Sequence, residues 1–367
     1  MSALRTILSR SALPSTRRLA APSPAASQLV RNFLKPSSPV LKAEDEEKAR
    51  LEYEKHRQNV DPKMASVDES LTFEHPKTSE WKAGDPGHDV VGAGHGRHNK
   101  RTLSSLSMDG KVCVVTGAAR GLGNMMARTF VESGASSIAI VDLNEADARA
   151  AAKDLEEWFV THGEAEPGEI KAKGYGCDVA NEQSVTKTFD AIEKDYGSKI
   201  DCLVTAAGIV ENFIATEYPT EKVRKLLDIN VMGSWFCALQ AKKRMPEGGS
   251  IILIGSMSGN IVNAPQPQTP YNFSKAAVRH MASSLAVEWA KDNIRVNCVA
   301  PGYTLTNLTK VILDANPVLR DEWLHRIPMG RLADPSDLKG AIVLLASDSS
   351  KYITGSQITI DGGYTCL

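Results

Sequence analysis

The sequence predicts an α/β fold, a doubly wound parallel sheet of seven strands, and two patterns predict it. Short apolar, β-branched runs alternate with amphipathic helical stretches from about Met108 to the C-terminus. The first run opens directly into a glycine-rich turn followed by a helix, an arrangement that can cradle phosphate.

Taken in order, the run Val112–Thr116 is the first strand, and a helical pattern follows over 122–133. Ile138–Asp142 is the second strand, with a helix over 145–161 behind it. Further strands are expected at 173–177, 200–204, 250–255, 294–299 and 357–360, and long helices at 221–244 and 271–291. In such a sheet ligands bind beyond the carboxyl ends of the strands.

The chain has 367 residues and a formal net charge of −1, so no global basic field argues for nucleic acid. No apolar run reaches the ~18 residues that a membrane span needs. The cysteines Cys113, Cys177, Cys202, Cys237, Cys298 and Cys366 contain no C-x-x-C pair. They read as reduced thiols, mostly in apolar segments, neither a disulfide framework nor a zinc site.

Residues 1–43 carry Arg5, Arg10, Arg17, Arg18, Arg31, Lys35 and Lys42 without a single Asp or Glu. Basic, hydroxylated and acid-free, they have the composition of a mitochondrial transit peptide. The expected destination is the matrix, or the cytoplasm should the segment not serve as a transit peptide. Residues 44–107 read as a polar linker with a short charged helix at 44–58, and residues 108–367 as one catalytic domain. Gly92-Ala93-Gly94-His95-Gly96 looks nucleotide-like but has no apolar helix behind it. His88, His95 and His98 lack carboxylate or cysteine company and read as loop residues. No metal is expected.

The turn after the first strand is Thr116-Gly117-Ala118-Ala119-Arg120-Gly121-Leu122-Gly123. Its glycines permit a tight turn, close approach of backbone to a pyrophosphate, and close packing of helix on sheet. Asp142, ending the second strand, is placed to accept hydrogen bonds from both hydroxyls of an adenosine ribose, and its charge repels a 2′-phosphate. NAD is therefore expected over NADP, although Arg120 within the turn is able to meet a 2′-phosphate. Asp142 is also a candidate for a plain helix N-cap.

Tyr271 and Lys275 lie four residues apart, with Ser256 fifteen residues before the tyrosine. On a helix this spacing puts both side chains on one face. A phenol with its ordinary pKa of about 10 is a poor base at neutral pH. An ammonium about 4 Å away, at an effective dielectric near 20, favours the phenolate by roughly 4 kcal/mol. The pair is thereby expected to yield a base that works near pH 7. Tyr218 and Lys222 repeat the spacing, but Pro219 disfavours a continuous helix through them.

Together these residues resemble the short-chain dehydrogenase/reductase family over essentially all of 108–367. The dinucleotide loop matches at Gly117, Arg120, Gly121, Leu122 and Gly123. Asp178 and Val179 match the adenine contact. Thr205-Ala206-Ala207-Gly208 matches an Asn-Asn-Ala-Gly stretch with both asparagines replaced, which puts their sheet-stabilising role in question. Pro301, Gly302, Thr304 and Thr306 match the loop that closes on the nicotinamide.

The resemblance also implies roles. Tyr271 takes the substrate's hydroxyl proton, and Ser256 bonds the same oxygen. Lys275 lowers the phenol pKa and holds the nicotinamide ribose, and Asn230 holds a water that links Lys275 to solvent. It implies NAD(P)-dependent oxidation of an alcohol without a metal, and a homotetramer with interfaces on the long helices. The stretches 249–259, 265–268 and 360–364 are closest to members that interconvert polyols and ketoses, so a polyol or ketose is the expected small-molecule substrate.

A 3-oxoacyl thioester reductase using NADPH shares every one of these catalytic residues, and a nucleotide-binding redox sensor is the non-enzymatic alternative. Residues 304–329 match the variable substrate-covering segment. There Leu308, Val311, Ile312 and Leu324 suggest a helical lid, and His325, Arg326 and Gln268 are candidates for sugar hydroxyls.

Overall fold

The computed structural model describes residues 102–163, 165–197, 199–245 and 248–367. The expected transit peptide, the charged helix at 44–58, the glycines of 92–96 and His88, His95 and His98 lie outside the described residues, as do the side chains of Leu308 and Ile312. The last residues of the expected linker form a 3-10 turn at Thr102–Leu106.

Seven strands form one sheet in the order β3-β2-β1-β4-β5-β6-β7, and every pairing is parallel. They are β1 (Val112–Thr116), β2 (Ser137–Asp142), β3 (Lys171–Gly176), β4 (Cys202–Thr205), β5 (Gly249–Ile254), β6 (Ile294–Pro301) and β7 (Gln357–Ile360). The order reverses between β1 and β4, which opens a crevice at the carboxyl ends of those two strands.

Alternation along each strand builds two cores. Cys113, Val115, Ile138 and Ile140 pack on one face under α1 (Gly121–Glu132), α2 (Glu145–His162) and α9 (Lys339–Ala346). Val114, Ala139, Val141 and Leu203 pack on the other under α3 (Glu182–Tyr196), α5 (Gly233–Lys243) and α6 (Thr269–Trp289). Both faces are covered, which is why the inner strands carry consecutive apolar residues, as in Val112–Val115 and Ile251–Ile254, rather than apolar residues at every second position.

The expected elements are present with shifted ends. The third and fourth strands, expected at 173–177 and 200–204, run over Lys171–Gly176 and Cys202–Thr205. Ile200 stays out of the ladder because its N–H donates to the Arg244 carbonyl at 2.9 Å. The helix expected over 221–244 is three pieces. α4 (Thr220–Leu227) runs into a π-helical turn at Asp228–Met232, which hands over to α5. The covering segment contains two helices, α7 (Asn307–Ala315) and α8 (Pro317–His325).

Five of the six cysteines are buried and Cys366 is exposed; all six are free thiols. Among the described residues no helix is long and apolar enough to cross a membrane, and no group of three or more His, Cys, Asp or Glu side chains is gathered as a metal site.

Candidate active site

The glycine turn is built by close approach. Gly117 has φ +64°, and a Cβ there would stand 2.7 Å from the Ala207 Cα. A Cβ on Gly123 would stand 2.3 Å from the Gly117 carbonyl oxygen, so the first turn of α1 lies directly on the loop. Gly121, with φ +61°, faces open space. Arg120 precedes α1 without a side-chain cap, which leaves the helix's first N–H groups available to an anion.

Asp142 ties the second strand to this turn. Its carboxylate accepts from the N–H of Ala119 at 3.0 Å and from that of Leu143 at 2.8 Å. The cap of α2 is Asn144, which accepts from the N–H groups of Ala146 and Asp147. Asp142 is therefore not a helix cap. Arg120 is exposed and lines a cleft between α1 and α2 with Asn124, Arg128, Asp147 and Asp154. A tight glycine turn, an uncapped helix terminus and an acid at the end of β2 are the features a dinucleotide needs, so the residues present fit one.

The remaining cofactor positions lie along the same strand ends. Asp178 follows β3 and is exposed, while Val179 is buried with its side chain against Gly233. Ala206 and Gly208 follow β4. Thr116 Oγ1 accepts from the Ala207 N–H at 3.3 Å, so a hydroxyl on β1 joins the two strand ends where the resemblance had left the lost asparagines' role in question. Pro301 ends β6, and a Cβ on Gly302 would stand 2.7 Å from the Asp361 Cα. Thr304 Oγ1 donates to the Gly302 carbonyl, and Thr306 caps α7 by accepting from the Thr309 N–H at 3.3 Å.

Ser256 stands just beyond β5. Its hydroxyl oxygen accepts from the Ser258 N–H at 3.2 Å and caps the turn Met257–Gly259. Gly259 then packs on α6, where an added Cβ would stand 2.8 Å from the Lys275 carbonyl carbon. That contact sets the serine turn against the helix that carries Tyr271 and Lys275. Pro270 occupies the first turn of α6, where a missing N–H costs nothing. Lys275 Nζ lies 5.6 Å from the centroid of the Tyr271 ring and donates to the Ile254 carbonyl at 2.9 Å.

Asn230 sits in the π-helical turn, 1% exposed. Its carboxamide mimics a strand partner for Ile209, accepting from that N–H at 2.8 Å and donating to that carbonyl at 2.9 Å. It also donates to Ser274 Oγ at 3.1 Å. A Cβ built on Gly208 would be 3.2 Å from Asn230 Oδ1 and 3.7 Å from Lys275 Nζ, so the two side chains border one small space above that glycine.

The electrostatics differ from the sequence expectation. Burial pushes the Tyr271 phenol above its ordinary value, and the neighbouring Ser256 hydroxyl works against that rise. Burial also pulls Lys275 down to about 8, with the Cys298 thiol opposing the drop. A lysine ammonium about 4 Å away was expected to hold the phenol near neutrality. The ammonium is instead anchored on Ile254, and desolvation is the leading influence on the phenol.

Tyr218 and Lys222 stand apart from this chemistry. Tyr218 precedes α4, Lys222 pairs with Glu211 at 2.9 Å, and the Tyr218 hydroxyl is buried without a hydrogen-bond partner. His325 and Arg326 are exposed, with Arg326 paired to Glu322. Val311 is exposed too, whereas Leu324 is half-buried.

Gln268 is the one sugar-hydroxyl candidate the fold brings to the site. It donates to Asn263 Oδ1 at 2.8 Å, to Asn272 Oδ1 at 3.0 Å and toward Ser258 Oγ at 3.5 Å. Sequence reasoning missed Asn263, Gln266, Tyr303 and Trp323, which continue this network. Three carboxamides within 263–268 and a tyrosine directly after Pro301-Gly302 were the available signals.

A family model described as enoyl-(acyl carrier protein) reductase matches residues 117–365. The D-arabinitol 2-dehydrogenase [ribulose-forming] of Candida tropicalis is 41% identical over 272 residues, covering 72% of this chain and 95% of that protein. An NADH-dependent L-xylulose reductase of Ambrosiozyma monospora is 39% identical over 269 residues, covering 72% and 98%. The crystal structure of a gluconate 5-dehydrogenase from Burkholderia cenocepacia in complex with NADP and tartrate matches with a TM-score of 0.66 and 30% identity, covering 73% of this chain and all of that one. Fold and site define a nicotinamide-dinucleotide-binding oxidoreductase acting on CH–OH groups. The chain belongs to the short-chain dehydrogenase/reductase family.

Proposed function

We propose that this protein transfers a hydride between NAD and a polyol/ketose pair, with D-arabinitol and D-ribulose as the pair. The observation that carries the reading is the meeting of Ser256, Tyr271 and Lys275 against one helix, beyond the strands that carry the glycine turn. The substrate class is supported by similarity to the D-arabinitol and L-xylulose enzymes. The preference for NAD is supported by Asp142, whose charge stands beside the turn that would receive the adenosine ribose.

In the oxidative direction Tyr271 takes the hydroxyl proton, and Ser256 hydrogen-bonds the same oxygen and fixes its orientation. Lys275 holds the nicotinamide ribose and passes the proton toward solvent through the space it shares with Asn230 above Gly208. The nicotinamide supplies hydride acceptance and return. Gly117, Arg120, Gly121, Leu122 and Gly123 seat the pyrophosphate, Asp142 the ribose, and Asp178 and Val179 the adenine. Ala206, Gly208, Pro301, Gly302, Thr304 and Thr306 close on the nicotinamide half. We further propose that residues 1–43 direct the protein to mitochondria and that it works as a homotetramer.

The test is NADH production over D-arabinitol, L-arabinitol, xylitol, sorbitol and mannitol with product identification, and thioester reduction with acetoacetyl thioesters alongside. D-ribulose formed from D-arabinitol as the fastest reaction supports the proposal. Faster turnover of another polyol moves the substrate, and thioester reduction without polyol turnover sinks the polyol reading.

A further inference from the structure

A hydrogen-bonded chain runs from the covering helices to Ser256. Trp323 of α8 is 7% exposed and stacks on Tyr303 with ring centroids 3.8 Å apart and planes within 6° of parallel. Tyr364 closes on Tyr303 edge-on at 5.5 Å. The Gln266 carboxamide lies against both members of the stack, and the orientation that satisfies both puts its oxygen toward them, accepting from Tyr303 Oη at 2.9 Å and from Trp323 Nε1 at 3.2 Å.

From Tyr303 the chain continues inward. Asn263 Nδ2 donates to Tyr303 Oη at 3.1 Å, and Asn263 Oδ1 accepts from Gln268 Nε2 at 2.8 Å. Gln268 Nε2 also reaches Ser258 Oγ at 3.5 Å, and Ser258 Oγ lies 3.0 Å from Ser256 Oγ. Asn263 and Gln268 are 4% and 7% exposed, so bulk water has little access to replace a lost partner.

With Gln266 in that orientation, Tyr303 gives its one proton to Gln266 and accepts from Asn263, while Asn263 donates outward and accepts inward. The two Gln268 protons go to Asn263 and Asn272, at 2.8 and 3.0 Å, so the 3.5 Å contact with Ser258 shares one of them and is the weakest link. Buried networks of this kind hold one arrangement, because turning a single amide breaks two bonds at once.

We infer that Tyr303 is a positioning residue whose hydroxyl couples the seating of α8 to the orientation of the Ser256 hydroxyl, through Asn263, Gln268 and Ser258. The inference rests on the catalytic reading of Ser256, Tyr271 and Lys275. In the structure Ser256 donates to Ser258. To bond a substrate oxygen its hydroxyl must turn away, and the partner it leaves is held by the chain that ends under the lid. A substrate that seats α8 therefore also sets the serine.

A double-mutant cycle tests this. Tyr303→Phe keeps the ring stack and removes the hydroxyl, Ser258→Ala removes the inner end, and kcat for polyol oxidation is read at saturating dinucleotide. Each single change is expected to lower kcat by about tenfold and the double change by no more than either alone, with KM for the dinucleotide unchanged. Losses that multiply to about a hundredfold overturn the coupling, as does a Tyr303→Phe kcat within about twofold of the parent.

Trp323→Phe, which keeps an aromatic ring and loses the N–H, serves in the same cycle should Tyr303→Phe fail to fold. A Tyr271→Phe variant of undiminished turnover refutes the catalytic reading instead, so the two failures are separable.

Discussion

Lys275 Nζ is anchored on the carbonyl of Ile254 at 2.9 Å. The end of β5 thus presents Ser256 to the substrate side and a backbone oxygen to the lysine. Burial raises the pKa of the Tyr271 phenol above its ordinary value, which favours the protonated form at neutral pH. Oxidation needs the phenolate, and reduction of a ketone needs the phenol. We therefore expect kcat/KM for polyol oxidation to keep climbing from pH 7 to pH 9, and ketose reduction to hold level over that range. An oxidative plateau already reached at pH 7 would contradict this.

The buried amine carries a cost to folding. The folded protein holds Lys275 at about 8 against an ordinary 10.5, so it disfavours the ammonium relative to the unfolded chain. That penalty, on the order of 3 kcal/mol, is fully present below about pH 8 and fades as the pH approaches the ordinary lysine value. Lys275→Met is therefore expected to have a higher Tm relative to the parent at pH 7 than at pH 10. Thermal melts at both values check it, and a Tm difference that does not change with pH speaks against the assignment.

Gly123 should tolerate no side chain. A Cβ there would stand 2.3 Å from the Gly117 carbonyl oxygen, which is backbone and has nowhere to move. Gly123→Ala is expected to cost about 1–3 kcal/mol of stability and to weaken dinucleotide binding by displacing the turn. Titration of NADH fluorescence reads the second effect, and parent-like affinity with a parent-like Tm would show that the turn is looser than described.

Asp142 is expected to set the choice of dinucleotide. Asp142→Ser removes the charge that repels a 2′-phosphate while leaving a short polar side chain beside Ala119. The ratio of kcat/KM for NAD to that for NADP should fall by at least about tenfold, the effect of roughly 1.4 kcal/mol. A parent that already prefers NADP would end the argument before the variant is made.

Much of this was legible in the chain, for physical reasons that also mark the limit. β1 and its glycine turn announce themselves because a strand buried on both faces needs consecutive apolar residues, here Val112–Val115, and the turn must admit close backbone contact. The spacing of Tyr271 and Lys275 puts them on one helix face, and they are found there. Their electrostatics were not legible, because the outcome depends on how deeply each is buried and on Ile254, a tertiary neighbour.

The break at Asp228–Met232 escaped for a similar reason. Periodicity sees a continuous helix over 221–244, whereas Asn230 is drawn out of register by its bonds to the Ile209 backbone. The Gln266–Tyr303–Trp323 cluster joins three segments far apart in sequence, and only the fold brings them together.

The central claim is that the Tyr271 hydroxyl carries the proton of the reaction. Tyr271→Phe keeps the ring and deletes that hydroxyl, so its turnover is the direct measurement, with NADH binding titrated on the same sample. The account predicts a loss of about three orders of magnitude in kcat with dinucleotide affinity largely retained. Turnover within about tenfold of the parent would contradict it.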